Sequence, residues 1–187
     1  MVKKNVCVFI SGKGTNLNNL IKKSREYNFP VKVKLIISNN INAEGLKYAK
    51  INSIPFILIN TKLNNFEHKI LKELKRYDIS LICLAGYMKI ISKNFIKLFG
   101  KKIINIHPSL LPKFKGLNTF SRVIENKEIR SGCTVHFVNE KLDSGKIIVQ
   151  KYFFINERDK ENDVKIKTQK LEYLAFPEAI IKLYRNN

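Results

Sequence analysis

The sequence predicts an α/β fold: one domain with a mostly parallel, twisted sheet, helices on both faces, and antiparallel strands in the C-terminal part. Three observations predict it. Short β-branched runs alternate with helix-period segments as far as Ile106. One run, Ile79 to Ala85 (ISLICLA), is almost wholly apolar, as a strand covered on both faces must be. The alternation then gives way, after Pro108, to a long loop, a helix and two strands joined by a turn.

The elements follow in order. Asn5 to Ile10 (NVCVFI) reads as a buried strand. Leu17 to Tyr27 reads as a helix, with Leu17, Leu20 and Ile21 on one face. Val31 to Ser38 is a second strand, Ala43 to Asn52 a second helix, and Pro55 to Ile59 a short strand. Phe66 to Tyr77 is a helix turning Ile70, Leu71 and Leu74 inward. The Ile79 to Ala85 strand, a helix over Ser92 to Phe99 and a strand over Lys101 to Ile106 complete the alternation, which implies right-handed crossovers. A helix over Phe120 to Lys127 precedes strands at Cys133 to Val138 and Lys146 to Ile155. The last helix runs from about Glu161 to Arg185, with a kink expected at Pro177. The expected organisation is a single domain over 1–187, with a Rossmann-like phosphate-binding half (1–100) and a catalytic half (101–187).

Composition narrows the class. The chain has 187 residues, enough to bury a full core without disulfides or a structural metal. Three widely spaced Cys and three His offer no zinc-ligand spacing, which favours a reducing cytoplasm and argues against a disulfide framework. The longest apolar stretch, Ile79 to Met88, is half a membrane span. The formal net charge of +20 suggests polyanionic partners. The basic residues are nearly all Lys, spread along the whole chain, and Lys, Asn and Ile together supply 76 residues. That pattern reads as compositional drift on a solvated face rather than as a nucleic-acid interface, where Arg is the commoner reader of phosphate and guanine.

Ligands of open α/β sheets gather at the carboxyl ends of strands, so the loops after Ile10, Ala85 and Ile106 carry the search. Ser11-Gly12-Lys13-Gly14-Thr15-Asn16 lies between the first strand and first helix, where backbone amides and the helix dipole favour an anion. It is neither a dinucleotide fingerprint, since Leu17 stands where a third Gly belongs, nor a Walker A loop, since Gly14 separates Lys13 from Thr15. A single phosphate fits it, and a bare tight turn is the plain alternative. In Asn105-Ile106-His107-Pro108-Ser109-Leu110-Leu111-Pro112 the strand period puts Asn105 and His107 on one face. No nucleophile elbow surrounds Ser109. Leu142-Asp143-Ser144-Gly145 is by default a turn, and gains meaning only beside the His motif.

Together with Leu84-Ala85-Gly86-Tyr87-Met88 and Ser131 to Val138, these motifs occur in the order and spacing of the phosphoribosylglycinamide formyltransferase family, which the chain resembles over essentially its whole length. The resemblance implies formyl transfer from 10-formyltetrahydrofolate, as cosubstrate, to the amine of glycinamide ribonucleotide in purine biosynthesis, without a metal. It implies Asn105, His107 and Asp143 as the catalytic trio, with His107 protonated. Gly12, Lys13, Gly14, Thr15 and Asn16 would hold the ribonucleotide phosphate, and Glu172 would contact that substrate. Met88, Lys89, Ile90 and Ile91, with Val138, Asn139, Glu140, Lys141 and Leu142, would line the folate pocket. The Leu111–Pro112 bond would be cis.

Asn118 and Phe120 stand where the family commonly has His, and Lys115 where it often has Pro. His136 matches a family His near the site, and on its strand it reads equally as a satisfied core residue. A monomer or weak homodimer is expected, with no membrane and no specific nucleic-acid partner. The rival readings are a methionyl-tRNA formyltransferase, expected to carry a further C-terminal domain for which 187 residues leave no room, and a formyltetrahydrofolate hydrolase, expected to have an extra N-terminal regulatory domain where here the first strand starts at residue 5. A basic nucleic-acid-binding protein on the same fold, served by Lys93, Lys97 and Lys101, is the rival from another class.

Overall fold

The computed structural model describes residues 2–185. Its elements are β1 (Lys4–Ile10), α1 (Thr15–Arg25), β2 (Val31–Ser38), α2 (Leu46–Ile51), β3 (Phe56–Leu58), α3 (Phe66–Arg76), β4 (Leu81–Leu84), α4 (Lys93–Phe99), β5 (Lys102–His107), α5 (Thr119–Glu125), β6 (Arg130–Phe137), β7 (Ile147–Phe154) and α6 (Glu161–Arg185). The seven strands run in the order β3-β2-β1-β4-β5-β6-β7. The chain divides into two compact units, residues 1–104 and 105–187, and the boundary falls inside β5.

In the first unit β1 pairs in parallel with both β2 and β4, and β2 in parallel with β3. The strand order reverses direction at β1, so the loops leaving β1 and β4 flank a topological switch point. Val6 to Ile10 and Leu81 to Leu84 are buried, which explains their unbroken apolar run. The core is closed by Leu17, Leu20 and Ile21 from α1, Ile70 and Leu74 from α3, and Phe95 from α4. Ser92 caps α4 by accepting from the Phe95 amide (3.0 Å), and the Glu67 carboxylate holds that cap by accepting from the Ser92 backbone N–H (3.1 Å) and the Ser92 hydroxyl (2.5 Å).

In the second unit β6 and β7 are antiparallel, with Thr134 opposite Gln150. Thr134 is fully buried and its hydroxyl is fully used. It donates to the Ser109 carbonyl (2.6 Å) and accepts from the Leu111 amide (3.1 Å) and from Gln150 Nε2 (2.8 Å). Gln150 Nε2 also reaches the Leu111 carbonyl (3.1 Å). The loop after β5 is thereby tied to the β6–β7 pair, and its Leu111–Pro112 bond is cis, as the resemblance implied. The buried Ser109 hydroxyl donates to the Lys113 carbonyl (2.7 Å), which makes it a turn-stabilising group and not a nucleophile.

The element types follow the sequence reading, and the differences lie at the ends. α1 begins at Thr15, two positions before Leu17, because Gly14 takes the left-handed conformation (φ 68°) directly ahead of it. α2 loses its first turn because Ala43 to Gly45 form a tight bend, with the Leu46 amide donating to the Ala43 carbonyl. β5 continues through His107, and β6 starts at Arg130 because Ser131 and Gly132 still pair with Phe153 and Tyr152. α6 passes through Pro177 as one continuous helix. Leu98 on α4 is 54% exposed, while Phe95 on the same helix is buried.

Replacing Thr134 by Val keeps the shape and strands the Ser109 carbonyl and the Leu111 amide in a dry interior. The variant should lose roughly 2–4 kcal/mol of stability, read as a lower urea midpoint at unchanged slope.

Candidate active site

The second unit gathers the titratable groups. Asn105 and His107 alternate along β5 and share a face, as the period of two requires. His136 comes from β6 and Asp143 from the turn before β7. Asp143 sits at φ 45°, and the turn closes on β6 because Gly145 has no side chain: a Cβ there would fall 1.7 Å from the Phe137 carbonyl. The Asp143 carboxylate is only 8% exposed. Its Oδ2 accepts from the Gly116 amide (2.9 Å) and lies 3.4 Å from His107 Nδ1, and its Oδ1 lies 3.6 Å from His136 Nε2. Asn105 Nδ2 stands 3.2 Å from His136 Nε2.

Hydrogen-bond arithmetic fixes what this cluster can do. His107 Nε2 is 2.9 Å from the Phe114 carbonyl and His136 Nδ1 is 2.9 Å from the Phe137 carbonyl. A carbonyl only accepts, so both of those nitrogens carry hydrogen. In the neutral rings the nitrogens that face Asp143 are then lone pairs, and that of His136 accepts from the Asn105 amide. Each ring satisfies its carbonyl and the carboxylate together only when it is charged. With His136 Nε2 matched by the Asn105 amide, the neutral cluster leaves one unmatched pair, His107 Nδ1 facing Asp143 Oδ2 at 3.4 Å, and one proton on that ring completes it.

Burial sets the resting charge. Desolvation pulls the His107 imidazole below its ordinary 6.5, outweighing the opposing pulls of the Phe114 carbonyl and the Asp143 charge, while His136 and Arg122 push the same way as burial. Burial thus disfavours the charged form of the ring, and the Phe114 carbonyl and the Asp143 carboxylate favour it. Burial alone would push the Asp143 carboxyl up, and its contacts with His136, the Gly116 amide and His107 together hold it below 3.8. Asp143 is accordingly an anion throughout the physiological range.

The first unit supplies a loop of a different kind. Ser11 is its hub: its amide donates to the Gly86 carbonyl (3.2 Å), its hydroxyl donates to Asn39 Oδ1 (2.6 Å) and accepts from the Met88 amide (2.8 Å), and its carbonyl accepts from Asn40 Nδ2 (2.9 Å). The ends of β1, β2 and β4 are locked together through one side chain. Gly14 and Gly45 touch backbone to backbone, since a Cβ on Gly14 would stand 2.5 Å from Gly45 Cα. Gly12, Lys13, Gly14, Thr15 and Asn16 form the turn into α1, whose first turn holds no acidic residue and no side-chain cap, so its dipole is uncompensated. The segment Met88 to Ile91 has no regular structure, and it leaves Met88 (67%) and Ile90 (73%) exposed while Ile91 is buried.

The remaining expected residues are scattered in the second unit. Val138 is half-buried, and Asn139, Glu140, Lys141 and Leu142 are exposed in the irregular segment before Asp143, where Asn139 Oδ1 accepts from the Lys141 amide (3.1 Å). Glu172 is half-buried on α6 and near Cys133, whose thiol is pushed up to about 12 by burial and then by the Glu172 charge. Sequence reasoning singled out neither the Phe114 carbonyl nor the Gly116 amide, because backbone groups have no signature of their own. His136 was open between two roles, and its contacts put it in the cluster. Among the described residues no group of three His, Cys, Asp or Glu side chains has metal-binding geometry, and no helix is long and apolar enough to cross a membrane.

The formyl transferase family model matches residues 4–180. The chain belongs to the formyl transferase family. The phosphoribosylglycinamide formyltransferase of Haemophilus influenzae is 42% identical to this formyltransferase chain over 181 residues, covering 95% of the chain and 85% of the relative. The trifunctional purine biosynthetic protein adenosine-3 of Gallus gallus is 39% identical over 182 residues, 95% of the chain but only 18% of that protein. The crystal structure of phosphoribosylglycinamide formyltransferase from Anaplasma phagocytophilum superposes with a TM-score of 0.92 at 34% identity, covering 99% of the chain and 89% of that structure.

The depressed His107 and Asp143 values carry a sign. In both cases the unfolded chain binds more protons than the folded one, so their stabilisation is complete above the unfolded values and is lost as pH falls. Thermal midpoints of this formyltransferase should be level at neutral pH and begin to drop as pH falls below 6.5, with a second loss below 3.8. The first drop should shrink in His107→Asn, as followed by circular dichroism.

Proposed function

We propose that the chain transfers the formyl group of 10-formyltetrahydrofolate to the primary amine of glycinamide ribonucleotide, a step of purine biosynthesis, in the cytoplasm. The observation that carries the reading is the buried Asp143 carboxylate facing the rings of His107 and His136, with Asn105 beside them. Direct attack of the amine on the formyl carbon makes a tetrahedral intermediate with an oxyanion. Asn105 donates to that oxyanion, a donor worth roughly 3 kcal/mol, and His107 once charged stabilises it through its positive charge. The amine loses one proton and the leaving folate nitrogen gains one. A cluster one proton short of its full hydrogen bonding accepts the first and returns it to the second, so the enzyme ends as it began. Burial disfavours the charged ring in the resting cluster, so its charge is best supported once the oxyanion forms beside it.

The other residues bind. The backbone of Gly12 to Asn16 and the open α1 terminus receive the ribonucleotide phosphate, and Glu172 contacts the same substrate. Met88 to Ile91 offer backbone groups and the apolar Met88 and Ile90 to the folate, and Val138 to Leu142 close over its ring system. No step requires a metal.

The test is deformylation of 10-formyltetrahydrofolate with and without glycinamide ribonucleotide. Turnover only with the ribonucleotide is expected, and turnover without it would make the protein a hydrolase. Asp143→Asn should lower kcat by about a hundredfold or more, with ribonucleotide affinity nearly unchanged. An Asp143→Asn enzyme of near-normal turnover would remove Asp143 from the mechanism.

A further inference from the structure

Two backbone groups hold the cluster from one side: the Phe114 carbonyl on His107 and the Gly116 amide on Asp143. Both belong to the short segment 114–117, which has no regular structure and is strained at Phe114 (φ 55°), while Gly116 (φ 78°) takes the same region without cost. A non-glycine residue in that region costs roughly 1 kcal/mol or more, so something must hold the segment in place. The groups that do so come from outside it. Arg122 Nη1, on α5, donates to the Lys115 carbonyl (2.7 Å) and more weakly to the Leu117 carbonyl (3.4 Å), and its guanidinium lies over the Phe114 ring at 5.4 Å. The Lys115 ammonium in turn donates to the Ser144 hydroxyl (2.7 Å), which donates to the Leu142 carbonyl (2.8 Å). One chain of contacts thus runs from α5 through the segment to the turn that carries Asp143.

We infer that Arg122 is a positioning residue for the reaction: it holds the 114–117 segment so that the Phe114 carbonyl and the Gly116 amide stay on His107 and Asp143. The inference rests on the formyl-transfer reading for its kinetic consequence and on geometry alone for its structural one. A planar guanidinium suits the task because it can stack on a ring and donate in its own plane together. Lysine keeps the charge and loses that combination.

The charged groups facing His107 make the role separable from simple electrostatics. Asp143 from the turn favours its protonation, and His136 from β6 and Arg122 from α5 oppose it. If Arg122 acted only by its charge, Arg122→Ala would raise the His107 pKa and Arg122→Lys would leave it unchanged. If Arg122 positions the segment, both variants loosen the Phe114 carbonyl and Asp143, the two groups that favour the charged ring, and the His107 pKa falls. The experiment is an NMR titration of the imidazole signals, of which the chain has three, in the full-length protein and both variants. Alongside it, kcat and KM are measured with 10-formyltetrahydrofolate and glycinamide ribonucleotide. The expected result is a lowered His107 pKa in both variants, with kcat reduced roughly ten- to a hundredfold and ribonucleotide KM little changed. A raised pKa in Arg122→Ala with none in Arg122→Lys, or an unmoved pKa and kcat in both, overturns the inference. Should Arg122→Ala not fold, the lysine variant decides by the same two readouts. The titration needs no activity, so a protein that shows the pKa shift but transfers no formyl group would sink the functional reading and leave the positioning role standing.

Discussion

A carboxylate shielded from water must be matched by donors, and the Asp143 cluster organises the second unit around that demand. Desolvation of an unpaired carboxylate costs several kcal/mol, so the group survives as an anion only where hydrogen bonds and charge repay the loss. The Gly116 amide is a donor on Asp143 that does not depend on a protonation state. The two histidines can each supply another, but each must become charged to do so while keeping its carbonyl. Strand pairing of β6 with β7, the glycine that lets the 142–145 turn close, and the 114–117 segment all serve to set three titratable groups at distances where one proton added to His107 turns its facing pair with Asp143 into a hydrogen bond.

That arrangement explains why the backbone around the cluster is over-determined. Thr134, Gln150, Ser109 and Lys113 form a closed set of hydrogen bonds beneath the loop that follows His107. None of these groups touches the carboxylate. They fix the path of the chain between β5 and α5, and so the place from which the Phe114 carbonyl and the Gly116 amide point. Loops are where function sits and also where backbone is least constrained, and here buried side chains supply the constraint that a ladder would supply in a strand.

The sequence was legible where physics is periodic. β1 and β4 announced themselves by apolar runs, and Asn105 and His107 were placed on one face by counting in twos. The +20 charge was legible as a number and misleading as a clue, since it is carried by lysines at scattered positions. What stayed hidden were interactions between a side chain and someone else's backbone: Ser11 joining three strand ends, Arg122 on the Lys115 carbonyl, Gly145 against the Phe137 carbonyl. Such contacts depend on a fold already built, and any residue type can provide the carbonyl. The lowered affinity of His107 for a proton was hidden for a related reason. A motif names the imidazole, while burial, which only the packed structure reveals, disfavours its charged form.

The positive charge itself finds only a modest structural use. With 35 basic and 15 acidic side chains, at least 20 basic groups cannot be paired one to one. The pairs that do form, such as Lys23 with Glu26 and Lys182 with Glu178, lie in solvent and contribute little each. A field of this sign attracts any anion, phosphate or carboxylate alike, and weakens with salt over about 8 Å at physiological strength. It can hasten arrival without choosing what arrives. Choice requires short-range groups with fixed directions, and in this chain those are few: the amides of a glycine-rich turn at the head of α1, and a buried cluster whose hydrogen bonds are complete only when it holds one more proton. The charge therefore bears on encounter rate, and the cluster bears on chemistry.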